Sequence, residues 1–183
     1  MKESNWRRTL QSVLAEERTI AIPGEFERVF RAHHGLVFRT AYRIIGNAAD
    51  AEDVSQSVFL AVFRRSEQQG ALENEESYLR RAAINGALDV LRSRQAHFTV
   101  ELPELPAEPV HHETGELRQA LARALARLKP RSAEIFALRF LEGFSNQQIA
   151  RILGLSQVLV AVIVHRTRQQ LRKELSAYLG DRS

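Results

Sequence analysis

Residues 47–65, NAADAEDVSQSVFLAVFRR, read as a helix with two different apolar faces. Asp50 is placed to cap it, and Glu52 and Asp53 fall in its first turn, where carboxylates sit well against the positive end of the helix dipole. Val54, Val58, Ala61 and Val62 recur at helical spacing and make the stripe that a bundle helix buries in its own domain. Phe59, Leu60 and Phe63 fall off that stripe and form a second band, flanked by Asp53, Gln56 and Arg64. A central helix packed on both sides explains this band, and so does a surface for a partner. These residues alone leave both explanations open.

Working outward, the periodic segments on either side also read as helices. Upstream, Glu25 to Ile45 carries Phe26, Val29, Phe30, Val37, Ala41 and Ile44 at helical intervals, with Gly35 as a candidate bend and Gly46-Asn47 as the stop. Before it, Trp6 to Glu17 makes a short leader helix that ends ahead of Ile22-Pro23-Gly24. Downstream, the polar stretch Ser66 to Ser77 reads as an exposed loop. Tyr78 to Arg94 follows as a helix with Leu79, Ala83, Ala87, Val90 and Leu91 on its apolar back and Arg80, Arg81, Arg92 and Arg94 on its front. That distribution suits a polyanion, although a charge run is usually a solvated face with internal salt bridges.

Composition changes after this helix. Residues 96–112, AHFTVELPELPAEPVHH, hold Pro103, Pro106 and Pro109 with Glu101, Glu104 and Glu108, which predicts an extended acidic linker. The expected organisation is an N-terminal extension (1–24), a helical domain (25–95), the linker (96–112) and a second helical domain (113–179). In the second domain Leu117 to Leu128 forms an amphipathic helix, and Ser132 is placed to cap a helix that closes at Gly143. FSNQQIARILGLSQ, residues 144–157, is the most specific local pattern. Ser145 caps a short helix, Gly154 makes the left-handed turn and Ser156 caps a second, longer helix, which is a helix-turn-helix. Such motifs lay their second helix in the DNA major groove. The fold class is all-α.

Composition bounds the function. Of the 26 Lys+Arg residues only Lys2, Lys129 and Lys173 are lysines, against 22 Asp+Glu and a net charge of +4. Arginine's planar fork suits phosphates and base edges, so a nucleic-acid partner is permitted without being demanded. With no cysteine there is neither a disulfide nor a thiolate zinc site. No signal-peptide core or membrane-length apolar run is visible, which predicts a cytoplasmic protein. Phosphate-binding Gly-rich loops, HExxH pairs and GxSxG elbows are absent, and the pairs His33-His34 and His111-His112 do not make a metal site. No catalytic residue, metal or cofactor is expected.

Together these residues resemble the bacterial sigma-70 family of RNA polymerase subunits, in its compact extracytoplasmic-function (ECF) group. Asp53, Gln56 and Phe59 match its D-x-x-Q-x-x-F helix, and Tyr78-Leu79 with Asn85, Asp89 and Arg92 match the pattern that follows. Leu128, Ile135, Phe136 and Leu138, then Glu142, Gly143, Ser145, Ile149, Ala150, Leu153 and Gly154, match the second module. The resemblance implies that Asp53, Gln56, Phe59, Leu60 and Phe63 dock on the β′ clamp helices of core RNA polymerase, with the β flap as a further contact. It implies that Tyr78, Arg80, Arg81, Asn85, Arg92 and Arg94 hold the −10 promoter element, with the loop before them capturing an unstacked base. For the −35 element it points to Ser145, Gln147, Ser156, Arg166 and Arg168.

Two departures are visible. Ser57 stands where the family often has a carboxylate, so one charged clamp contact is missing. Residues 158–163, VLVAVI, replace the family's polar, basic groove-reading run and would turn Leu159, Val162 and Ile163 outward. Weak, shape-based or absent −35 readout is therefore expected, with that patch covered by the first module, an anti-sigma factor or another protein. The leading expectation is a sigma initiation factor acting on promoter DNA. The alternatives are a sigma-like regulatory subunit whose second module binds protein, and a plain helix-turn-helix regulator, which leaves the Asp53 face without a purpose.

Overall fold

The computed structural model describes residues 24–69, 74–100 and 113–179, and among these the regular elements are all helical. The leader, residues 70–73 of the expected loop and residues 101–112 of the linker lie outside the described residues.

Three long helices form the first module: α1 (Gly24–Ile45), α2 (Ala48–Gln69) and α3 (Glu75–Val100). α1 runs unbroken through Gly35 and stops at Gly46, whose φ of 76° is a left-handed conformation that glycine adopts without strain. α2 then starts one turn earlier than its Asp50 suggested. The Asn47 side-chain oxygen accepts the Asp50 N–H at 3.1 Å, so Asn47 is the cap and Asp50 sits inside the first turn. Asn74 does the same for α3, accepting the Ser77 N–H at 3.0 Å. Both long helices outrun their expected ends, α2 to Gln69 and α3 to Val100, so the loop is shorter and the linker begins later than the polar and proline signals implied.

Val54, Val58 and Val62 are buried as expected, whereas Ala61 is exposed. Their counterparts are Val37, Ala41 and Ile44 on α1 and Leu79, Ala83, Ala87 and Leu91 on α3. A Cβ at Gly86 would sit 3.0 Å from Val54 Cγ1, so the missing side chain is what lets α2 and α3 approach this closely. Arg28 adds a polar tie, bonding both Glu25 on α1 and Glu75 on α3, and its hydrogen bond holds the Glu25 carboxyl below the usual carboxylate range.

The second module comprises α4 (Glu113–Arg127), α5 (Pro130–Phe136), a π-helical turn (Ala137–Leu141), α6 (Asn146–Leu153) and α7 (Gln157–Leu179). α5 lacks the expected Ser132 cap. It opens at Lys129 with Pro130 in the first helical position, where the missing N–H costs nothing. The helix-turn-helix forms as read: Ser145 and Gln148 make a reciprocal capping box, Gly154 has φ 64°, and the Ser156 hydroxyl accepts the Leu159 N–H at 3.2 Å. α6 and α7 diverge by 112°, within the range such motifs use. No single described helix is long and apolar enough to cross a membrane.

The two modules are in contact. α3 packs on α4 and α5, α1 touches the π turn, and buried side chains form one cluster that runs through both modules.

Candidate nucleic-acid and protein interfaces

The outward face of α2 differs from the expected band at its centre. Asp53, Gln56 and Leu60 are exposed, Leu60 to 55%. Phe59 is only 4% exposed, with its ring 4.8 Å from Phe30 and 6.4 Å from Phe26. The partner role given to Phe59 is therefore corrected to a core role. Two aromatic residues at the start of α1 extend the hydrophobic interior past the valine stripe and enclose it. Phe63 is half-buried, edge-on to Phe26 at 5.3 Å. The surface that remains is an exposed leucine between Asp53, Gln56 and Arg64, the composition of an anchor with a polar rim.

Each of the four arginines of α3 assigned to DNA, Arg80, Arg81, Arg92 and Arg94, has an acidic partner. Arg92 bonds Asp89 at 2.7 Å, Arg94 pairs with Asp50 of α2, and Arg80 pairs with Glu76 and with Glu142 of the second module. Arg81 Nε donates to Glu134 at 2.8 Å, and Asn85 Nδ2 lies 3.5 Å from the same oxygen. Tyr78 is half-buried under the Arg65 guanidinium, 5.5 Å from its ring centre. The six residues assigned to −10 DNA thus all lie on α3, in a row of arginines held by carboxylates rather than a bare cationic surface.

On the helix-turn-helix, Ser145 and Ser156 spend their hydroxyl oxygens on capping, at 3.2 Å each, while Gln147, Arg166 and Arg168 are exposed. Val160 and Leu171 are buried, and Val164 is half-buried between them on the inward stripe. The outward apolar patch is real but shifted. Val158 is 74% exposed, Leu159 44% and Val162 39%, whereas Ile163, expected outside, is half-buried against the core. Val158 and Val162 line a shallow groove with Gln157, Ala161, His165 and Arg166.

Glu134 and Arg43 were not singled out in the sequence, and Glu142 was read only as part of a motif. Glu134 did leave a signal: a carboxylate four residues before the fully buried Leu138 sits on a core stripe, and a buried carboxylate requires a cation.

Residues 29–97 match the family description Sigma-70 region 2, and residues 118–171 match Sigma-70, region 4. The ECF RNA polymerase sigma factor SigE of Mycolicibacterium smegmatis is 35% identical over 167 residues, covering 85% of this chain and 63% of that protein. The RNA polymerase sigma-E factor of Streptomyces coelicolor is 30% identical, covering 84% of this chain and 87% of its own. Among solved structures, CnrH in complex with the cytosolic domain of CnrY superposes with a TM-score of 0.52 at 24% identity, covering 83% of this chain and 88% of that one. The sigma factor RpoE of Bartonella quintana in complex with the anti-sigma factor NepR gives 0.50 at 19% identity, with 84% and 98% covered, a likeness of fold. With both sigma regions matched in order along most of its length, the chain belongs to the ECF group of the bacterial sigma-70 family.

Proposed function

We propose that this chain is a transcription initiation factor that binds core RNA polymerase in the cytoplasm, recognises a promoter and opens it at the −10 element, leaving all chemistry to the polymerase. The observation that carries this reading is the exposed Asp53, Gln56 and Leu60 face on α2, inside the segment matched to sigma region 2. Leu60 supplies the anchor that enters the clamp, with Asp53 and Gln56 as its polar rim, while Phe59 fixes the helix from behind. Along α3, Arg80, Arg81, Arg92 and Arg94 hold phosphates, Asn85 approaches a base edge and Tyr78 stacks. At the second module Gln147, Arg166 and Arg168 contact the duplex mainly through its backbone.

The exposure of Val158, Leu159 and Val162 favours one further element of this reading, a protein partner such as an anti-sigma factor on α7. A groove-reading helix draws about 1–3 kcal/mol of discrimination from each good bidentate base contact, and valine and leucine make none. Combining the purified chain with core polymerase and mapping the 5′ ends of its transcripts tests the function. Start sites sharing a −10 element support it. Loss of transcription on replacing −10 bases, with single −35 replacements costing less than about 1 kcal/mol, supports the division of labour. Absence of any defined start site contradicts the function outright.

A further inference from the structure

Two carboxylates of the second module reach onto the face of α3 given above to promoter DNA, and both are buried there. Glu134 on α5, its side chain 5% exposed, accepts from Arg81 Nε at 2.8 Å and lies 3.5 Å from Asn85 Nδ2. Its second oxygen accepts from Arg131 Nη1 at 3.0 Å, and Arg131 Nη2 donates to the Leu153 carbonyl at 3.1 Å, which fixes the carboxylate relative to the end of α6. Glu142, its side chain 1% exposed, accepts from Arg43 Nη1 of α1 at 2.9 Å and pairs with Arg80 of α3. The Arg80 guanidinium lies 5.2 Å from the Phe144 ring centre as well. The backbone aims Glu142: its N–H closes the π turn on the Ala137 carbonyl at 3.0 Å, and Gly143 follows at φ 78°.

A carboxylate presents to a guanidinium much the same pair of oxygen acceptors as a phosphodiester does. The Arg81 Nε donor and the Arg80 Nη1 donor are held by these carboxylates, and while they are held a phosphate cannot take the same positions. Both carboxylates reach first-module partners only when the modules are together, so these ion pairs break as the modules part, Glu134 keeping only Arg131 of its own module. We propose that Glu134 and Glu142 form a latch: in the closed chain they stand where DNA phosphates would stand on Arg80 and Arg81, crowd Asn85, and must leave before the promoter strand can bind α3. This deepens the function proposed above and rests on its assignment of α3 to −10 DNA.

The test uses the full chain, labelled for distance measurement through Ala49→Cys and Lys173→Cys, two exposed sites in a chain without cysteines of its own. The probe is fluorescein-labelled single-stranded DNA of random sequence. E134Q/E142Q keeps the side-chain shapes while removing the negative charge, and E142Q alone is the milder variant, since Glu134 alone is also held by an arginine of its own module. The expected result is a longer, broader distance distribution in both variants, with DNA bound about tenfold more tightly by the double one, the gain that follows when the competent form rises from a tenth of the population to nearly all of it. Unchanged distances, or longer distances with unchanged affinity, overturn the latch. Arg92→Ala identifies the cause of the second result, because Arg92 touches neither carboxylate. If it weakens DNA binding in the opened chain, α3 does bind DNA and the latch alone is wrong. If it does not, the assignment of α3 to DNA has failed and the latch falls with it.

Discussion

Phe59 and Leu60 are adjacent in sequence and serve opposite purposes, because 100° of helical rotation takes the one under Phe30 and leaves the other in solvent. Phe59→Ala should destabilise the first module by about 3–5 kcal/mol, seen as a lower urea midpoint, since it empties a packed aromatic cluster. A change below about 1 kcal/mol would show that the cluster is not a working part of the core. Leu60→Ala should leave the midpoint nearly unmoved. At the turn of the helix-turn-helix, Gly154 occupies φ 64°, where an L side chain is strained, so Gly154→Ala should cost about 1–2 kcal/mol. Ser145→Ala should cost about 1 kcal/mol through loss of the capping box. Both are read by the same denaturation experiment, and unchanged midpoints would contradict the capping geometry.

At the scale of the elements, periodicity told the truth about which of the described segments are helices and much less about where they end. Caps explain the difference. Asn47 outcompetes Asp50 because the helix can begin one turn earlier, and α3 continues through Val100 because its first proline comes only at Pro103. The helix-turn-helix was legible in full, since its capping box, glycine and second cap are all local. Which apolar residues face outward was legible only in part: nothing near Phe59 in sequence announces that Phe26 and Phe30 will cover it, and Ile163 turns inward because the second module's core extends to it. On α7 the surviving outward cations predict a salt-sensitive contact with little base discrimination. Arg166→Ala should reduce the salt slope of duplex binding by roughly one, equally for all sequences. A sequence-dependent loss would show that this helix still reads bases.

Across the whole molecule, sequence alone suggested two modules with a spacer between them, whereas the described residues hold them in contact. Beside the shared hydrophobic cluster, the contact includes carboxylates whose partners lie 53 and 99 residues away, Arg81 for Glu134 and Arg43 for Glu142, and no local pattern can display such a pairing. Two of the arginines marked for nucleic acid, Arg80 and Arg81, are among those so engaged, which is why the functional residues were visible in sequence and their occupation was not. In the function proposed here core RNA polymerase receives the arginine face of α3, the helix-turn-helix and the exposed side of α2, and it holds the chain at α2. The direct measurement is the affinity of the purified chain for core RNA polymerase, with Leu60→Arg compared against the unaltered chain and both checked for equal thermal stability. The account predicts that the substitution weakens binding by about 2 kcal/mol or more, roughly thirtyfold, as loss of an interface anchor does. Equal affinity of the two folded proteins for the polymerase would contradict it.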